Sequence, residues 1–174
     1  MKKILPKILL GIALACAVFF SFLYTNNDIG KTANSLEADI RLSQKISDDW
    51  NVDGSTSDTM AAFISYPQDK TDHTFSVYVN RPGLSFGYFF RGGGDIVEVD
   101  DYIAEFVVDG YNERAFISMN TQNVVRLEID DGNNVRVIDI DRGKPFALVL
   151  PLNAGNICFY DANGNVVEHL RLPL

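Results

Sequence analysis

An uninterrupted run of 17 uncharged residues, Ile8 to Tyr24, follows Lys2, Lys3 and Lys7 and ends in the polar Thr25-Asn26-Asn27-Asp28. A stretch this long and apolar has no place on the surface of a small soluble domain, so it is a targeting segment set apart from the fold. Extended through Ile4 and Leu5, it reaches the short end of the roughly 17–25 residues that cross a hydrocarbon core. It could be an uncleaved anchor, or a signal peptide cut near Ala13-Leu14-Ala15 or Ala15-Cys16-Ala17 to release a secreted protein. The anchor is expected, because either cut leaves the apolar Val18-Phe19-Phe20-Ser21-Phe22-Leu23-Tyr24 at the new N-terminus. Positive residues stay cytoplasmic and all three lysines precede the run, which puts the rest of the chain outside the cytoplasm.

Residues 31–174 hold 12 Lys and Arg against 22 Asp and Glu, an acidic excess that argues against nucleic acid as a partner. Cys16 lies in the apolar run and Cys158 near the C-terminus, so no disulfide framework exists.

The expected organisation has three parts: residues 1–24 as the membrane segment, 25–58 as a juxtamembrane spacer and 59–174 as the folded domain. In the spacer, Lys31 to Trp50 is partly helical, with Asn34 and Glu37 placed for a capping box. Leu36 with Ile40, and Leu42 with Ile46, fall on two faces, and Asn51 to Asp58 is turn material. Beyond Thr59, period-two alternation and turn residues recur every eight to twelve residues, which predicts an all-β fold, an antiparallel β-sandwich of immunoglobulin-like or similar type. Strands are expected at Met60–Tyr66, Thr74–Asn80, Leu84–Arg91, Ile96–Val99, Tyr102–Val108, Arg114–Met119, Val124–Ile129, Val135–Ile140, Phe146–Leu150, Ile157–Tyr160 and Val166–Leu170, with no later helix. Asp130-Asp131-Gly132-Asn133-Asn134 joins one hairpin. Asn163-Gly164 suits a two-residue type I′ turn in another, which sets Cys158 opposite His169.

Few residues suggest chemistry. Arg91-Gly92-Gly93-Gly94-Asp95 is a candidate mobile binding loop, since three glycines permit close approach of a ligand, although it lacks the pattern of a phosphate loop. Tyr78 and Phe89, each opposite its strand's expected core row, are candidate surface-recognition residues. His73 reads as a solvent-exposed residue at a strand start, and Trp50 as a packing or interfacial anchor. Asp100-Asp101, Asp130-Asp131, Asp139 with Asp141, and Asp161 supply carboxylates without EF-hand spacing, and turn chemistry accounts for Asp130, Asp131 and Asp161. With two histidines and one cysteine beyond the leader, no zinc site of standard composition is expected, nor any cofactor.

Cys158, His169 and Arg171 are the one thiol, imidazole and cation grouping that strand register brings together. An anchored β protein with His73, then Cys158, then Arg171 loosely resembles the organisation of a sortase transpeptidase, which implies a Cys158 nucleophile. The sequence departs from that family in front of the cysteine, with Ala154-Gly155-Asn156-Ile157 where sortases carry Thr-Leu-x-Thr. The leading expectation is therefore a membrane-anchored, extracytoplasmic, non-catalytic binding module with a protein or cell-surface partner. A cysteine-dependent enzyme and a secreted protein are the alternatives.

Overall fold

The computed structural model describes residues 5–26, 28–80 and 86–174; Lys2, Lys3, Ile4, Asn27 and Leu84, named above, fall outside them. The apolar run forms α1 (Leu5–Thr25), among the described residues the one helix long and apolar enough to cross a membrane. From Ile8 to Thr25 its side chains are exposed all round, except Leu23 in the last turn. The helix closes with Asn26 N donating to Phe22 O at 3.0 Å and Asp28 N to Leu23 O at 2.9 Å.

A 3-10 turn (Ala33–Ser35) leads into α2 (Leu36–Ser43). Twelve strands and a short helix follow: β1 (Asn51–Thr56), β2 (Met60–Tyr66), β3 (Thr74–Asn80), β4 (Tyr88–Gly94), α3 (Val97–Asp101), β5 (Ile103–Val107), β6 (Glu113–Ser118), β7 (Val124–Asp130), β8 (Val135–Asp139), β9 (Phe146–Pro151), β10 (Asn156–Asp161), β11 (Val166–Val167) and β12 (His169–Pro173). The all-β expectation holds at this level. The strands form three four-stranded sheets, ordered β1-β2-β3-β4, β12-β5-β6-β9 and β11-β10-β7-β8. Among the described residues these strands pair antiparallel, except β12 with β5.

The cores show how the sheets stack. Met60, Ala62 and Ile64 of β2 and Phe75, Val77 and Val79 of β3 pack against Ala104, Phe106, Ala115 and Ile117 of the second sheet, with Phe75 and Phe106 stacked at 4.7 Å. The other face of that sheet, Ile103 and Phe116, packs on Leu127, Ile129, Ile157 and Phe159 of the third. The second sheet is thus covered on both faces, which is why Ile103 to Phe106 is buried without alternation. Strand β2 is buried at every position but the half-buried Phe63, because α2 seats Leu36 and Ile40 on Ala61, Tyr78 and Tyr88 across the outer face of the first sheet.

Described residues from Asp28 to Thr56 pair with or pack on the first sheet. The chain leaving α1 pairs with the edge of β4: Gly30 N donates to Phe86 O at 2.6 Å, and Lys31 and Tyr88 exchange N–H to carbonyl bonds of 2.8 Å. Asn34 lies in the 3-10 turn and caps nothing, while Glu37 pairs with Arg41 at 2.8 Å. Residues expected as a turn form β1, which pairs along its length with β2. Its polar side chains bond rather than pack: Asp53 accepts from Tyr66 at 2.6 Å and Lys144 at 2.9 Å, and Ser55 accepts from Val149 N at 2.7 Å.

Three further expectations are corrected. Val97–Asp101 is a helix where a strand is expected, a short run in which Val99 alone is buried, and apolar periodicity in so short a run does not separate helix from strand. The run expected as one strand at Val166–Leu170 splits, β11 staying with β10 and β12 crossing to β5. The second hairpin is one residue out of the expected register, pairing Tyr160 with Val166 and Phe159 with Val167. Its turn uses Ala162-Asn163-Gly164, with Gly164 alone at positive φ (84°), and the Asp161 carboxylate accepts the N–H groups of Asn163 and Asn165 at 2.8 Å. An Asp that can bond its own turn favours this longer connection over the two-residue one.

Candidate functional site

A groove of about 510 Å³, open to solvent, lies between the segment following α2, the start of β3 and the end of β4. Gln44, Lys45, Ile46, Ser47 and Trp50 form one wall, and Asp72, His73, Thr74, Gly94 and Asp95 the other. Arg41 fixes the first wall, donating to Ser47 O and Trp50 O at 3.1 Å each. Gln44 ties it to β3, accepting from Thr74 Oγ1 at 3.2 Å and donating to Ser76 Oγ at 3.4 Å.

His73 lies within the groove wall and is only 2% exposed, against the expectation of a solvent-facing residue. It immediately precedes β3, in a sheet covered on both faces, and its own N–H is held by Asp72 Oδ1 at 2.8 Å. Two carboxylates reach the ring from elements that follow in sequence. Asp100 of α3 places Oδ1 3.1 Å from Nδ1, and Asp95, just past β4, places Oδ1 3.5 Å from Nε2. Nε2 is buried and makes no hydrogen bond. The site thus unites one imidazole and two acids that nothing in the sequence groups, Asp95 being exposed, Asp100 half-buried and the ring covered. Such a set can hold a proton or a cation.

The second polar cluster surrounds Glu105, 1% exposed in the doubly covered β5. Arg171 on β12 grips it with two bonds of 2.9 and 3.1 Å, Arg114 on β6 adds one of 3.0 Å, and His169 Nε2 lies 3.4 Å from Oε2. Burial pushes the Glu105 carboxyl up, but the hydrogen bonds and charges of Arg171 and Arg114 outweigh it and hold the group below its usual 4.5. The signal was present in the sequence: one acid interrupts the apolar run Ile103-Ala104-Glu105-Phe106-Val107-Val108.

The other sequence candidates take different places. Tyr78 is fully buried beneath α2 and donates its hydroxyl to Asp39 at 3.0 Å; desolvation by burial, then the Asp39 charge, raises its pKa strongly. Phe89 is half-buried on β4. Arg91, Gly92, Gly93 and Gly94 form no loop: they are the second half of β4, paired with β3 across a bulge. The glycines admit protein neighbours. A Cβ on Gly93 would collide with the Phe75 carbonyl oxygen, whereas one on Gly92 would meet only the Leu174 side chain at the C-terminus. Gly93→Ala is accordingly expected to cost about 1–3 kcal/mol through a forced backbone shift. Gly92→Ala should stay within about 0.5 kcal/mol. Urea midpoints of the full chain in detergent check both, and equal midpoints would show that the sheet yields at Gly93.

Cys158 and His169 are not brought together. Cys158 sits opposite Glu128 on the face of β10 shared with Tyr160, which carries Arg126 over its ring at 4.6 Å. His169 touches the opposite face, its ring 6.2 Å from that of Phe159, and Arg171 is committed to Glu105. Asp139 and Asp141 line a separate groove with Asp53 and Lys144. No protein-family model, curated protein or solved structure matches the chain.

Proposed function

We propose that the chain is a single-pass membrane protein with a cytoplasmic N-terminus. Its layered β domain, a variant of the β-sandwich theme, works outside the cytoplasm as a non-catalytic binding module for a protein or other cell-surface partner. The observation that carries this reading is the join between α1 and the domain. Leu23 is buried in the last turn of α1, and the backbone from Asp28 to Lys31 is stitched to the edge of β4. Cutting at Ala15 or Ala17 would leave an apolar helical stub tied to the folded body. Ile29 and Phe86, bridged across the join just past α1, are both about half exposed and add apolar surface beside it in sequence. The acidic excess keeps the rest of the surface off anionic lipid. On the catalytic side, His169 and Arg171 meet at Glu105, and Cys158 does not join them.

Fractionation of the expressed full-length chain, with intact-mass analysis and protease applied from outside the cell, tests the proposal. The expected result is an unprocessed chain in the membrane whose domain is cleaved from outside. A chain shortened by its leader in the medium would move the search to soluble extracellular ligands.

A further inference from the structure

We propose that His73 and Asp95 bind one divalent transition-metal ion of the zinc class, with Asp100 as the residue that positions the imidazole. The site lies within the domain and does not depend on the reading of α1.

Asp100 Oδ1 stands 3.1 Å from Nδ1, which favours the tautomer that carries its proton on Nδ1 and leaves a lone pair on Nε2. That lone pair is buried and makes no hydrogen bond, and it faces an anionic carboxylate oxygen 3.5 Å away. Two electron-rich atoms this close favour a positive charge between them. A proton on Nε2 would draw the pair to the roughly 2.7–2.9 Å of a charge-assisted bond. A metal ion explains the longer spacing. Zinc bonds to imidazole nitrogen and carboxylate oxygen are about 2.0–2.2 Å, so neighbouring ligands of a tetrahedral ion stand about 3.3–3.5 Å apart. A carboxylate on the far nitrogen is the usual device for orienting a metal-bound histidine. Calcium and magnesium take oxygen ligands, so the imidazole selects a transition metal. The remaining coordination positions face the groove, where water or a donor group of a bound molecule would complete them. A site with so few protein ligands exchanges its metal readily, which suits recognition through the ion better than permanent structural support.

Full-length protein in detergent, stripped with chelator, is dialysed against zinc at tens of micromolar and its metal content measured; cobalt replaces zinc for a visible spectrum. The wild type is expected to take up one equivalent and to give a tetrahedral cobalt band, with the His73 Nε2 resonance shifting in two-bond nitrogen–proton spectra. Asp95→Asn removes an exposed ligand without disturbing the core and should weaken binding at least tenfold. Asp100→Asn should weaken it by about 10–100-fold while keeping the stoichiometry. The proposal is overturned if the wild type takes up no ion, or if Asp95→Asn binds as the wild type does. It is equally overturned if zinc leaves a proton on His73 Nε2, which would make the cluster a simple ion triad.

Discussion

Replacing Glu105 by glutamine should destabilise the domain by about 3–5 kcal/mol, one of the two largest effects expected of a single conservative change in this chain. The loss does not come from Arg171, whose side chain is 64% exposed and can turn to water. It comes from Arg114, whose side chain is 11% exposed and whose Nε already has no partner. Without the carboxylate, that guanidinium is a buried charge without a counter-ion. Removing both charges tests this account, because Glu105→Leu with Arg114→Met should recover most of the loss. If the double variant is as unstable as the single one, packing around Glu105 carries the effect and the ion pair does not.

The same group gives the domain a dependence on acid. Glu105 has its folded-state pKa held below its usual 4.5 by Arg171 and Arg114, so its stabilising contribution is present above that value and drains away as pH falls through the folded one. Wild-type stability should therefore decline below about pH 4.5, and Glu105→Gln should flatten that part of the decline; denaturant midpoints between neutral pH and pH 3 read it directly. A wild-type slope unchanged by Glu105→Gln would assign the acid sensitivity to other carboxylates.

These two clusters show where the sequence was legible. The alternation that marked β2 and β3 gave their limits to the residue, because a half-apolar strand bounded by polar turns has one sensible solution. It could not reveal that both faces of the second sheet are covered, since that depends on which strands return to cover it, and β12 reaches β5 from far along the chain. The polar β1 escaped for the opposite reason: its stability comes from pairing with β2 and from Asp53 and Ser55 bonding distant residues, none of which leaves an apolar pattern. Tyr78 reads as a surface aromatic only if α2 is a spacer; with Leu36 and Ile40 seated on the sheet, the tyrosine is core. His73 carried no signal at all. Its neighbours Thr71 and Asp72 are those of an exposed turn, and burial is imposed by the segment after α2 and by Asp95 and Asp100 arriving later in the chain.

Asn120→Asp should be as damaging as the Glu105 change, and its pH dependence should run the other way. Asn120 is 1% exposed, sits at φ 56° and joins two turns. Its amide nitrogen serves the carbonyls of Val124, Asp141 and Lys144 at 3.1 Å each, while its Oδ1 accepts from Val124 N at 2.7 Å. Aspartate keeps the shape and the tolerance for positive φ, so the comparison isolates the two amide hydrogens. Losing them leaves three carbonyls facing a buried carboxylate, at a cost of about 3–5 kcal/mol near neutral pH. The new carboxyl has its folded-state pKa raised by burial and by those carbonyls, because only its protonated form donates. The variant should thus regain stability as pH falls toward the carboxyl's folded value, where the wild type is flat or declining. Asn120→Gly, which suits the backbone but offers no side chain, should lose stability with no such recovery. If Asn120→Asp and Asn120→Gly follow parallel pH profiles, the three carbonyls are satisfied by other means and the amide is not the clasp between the β6–β7 and β8–β9 turns.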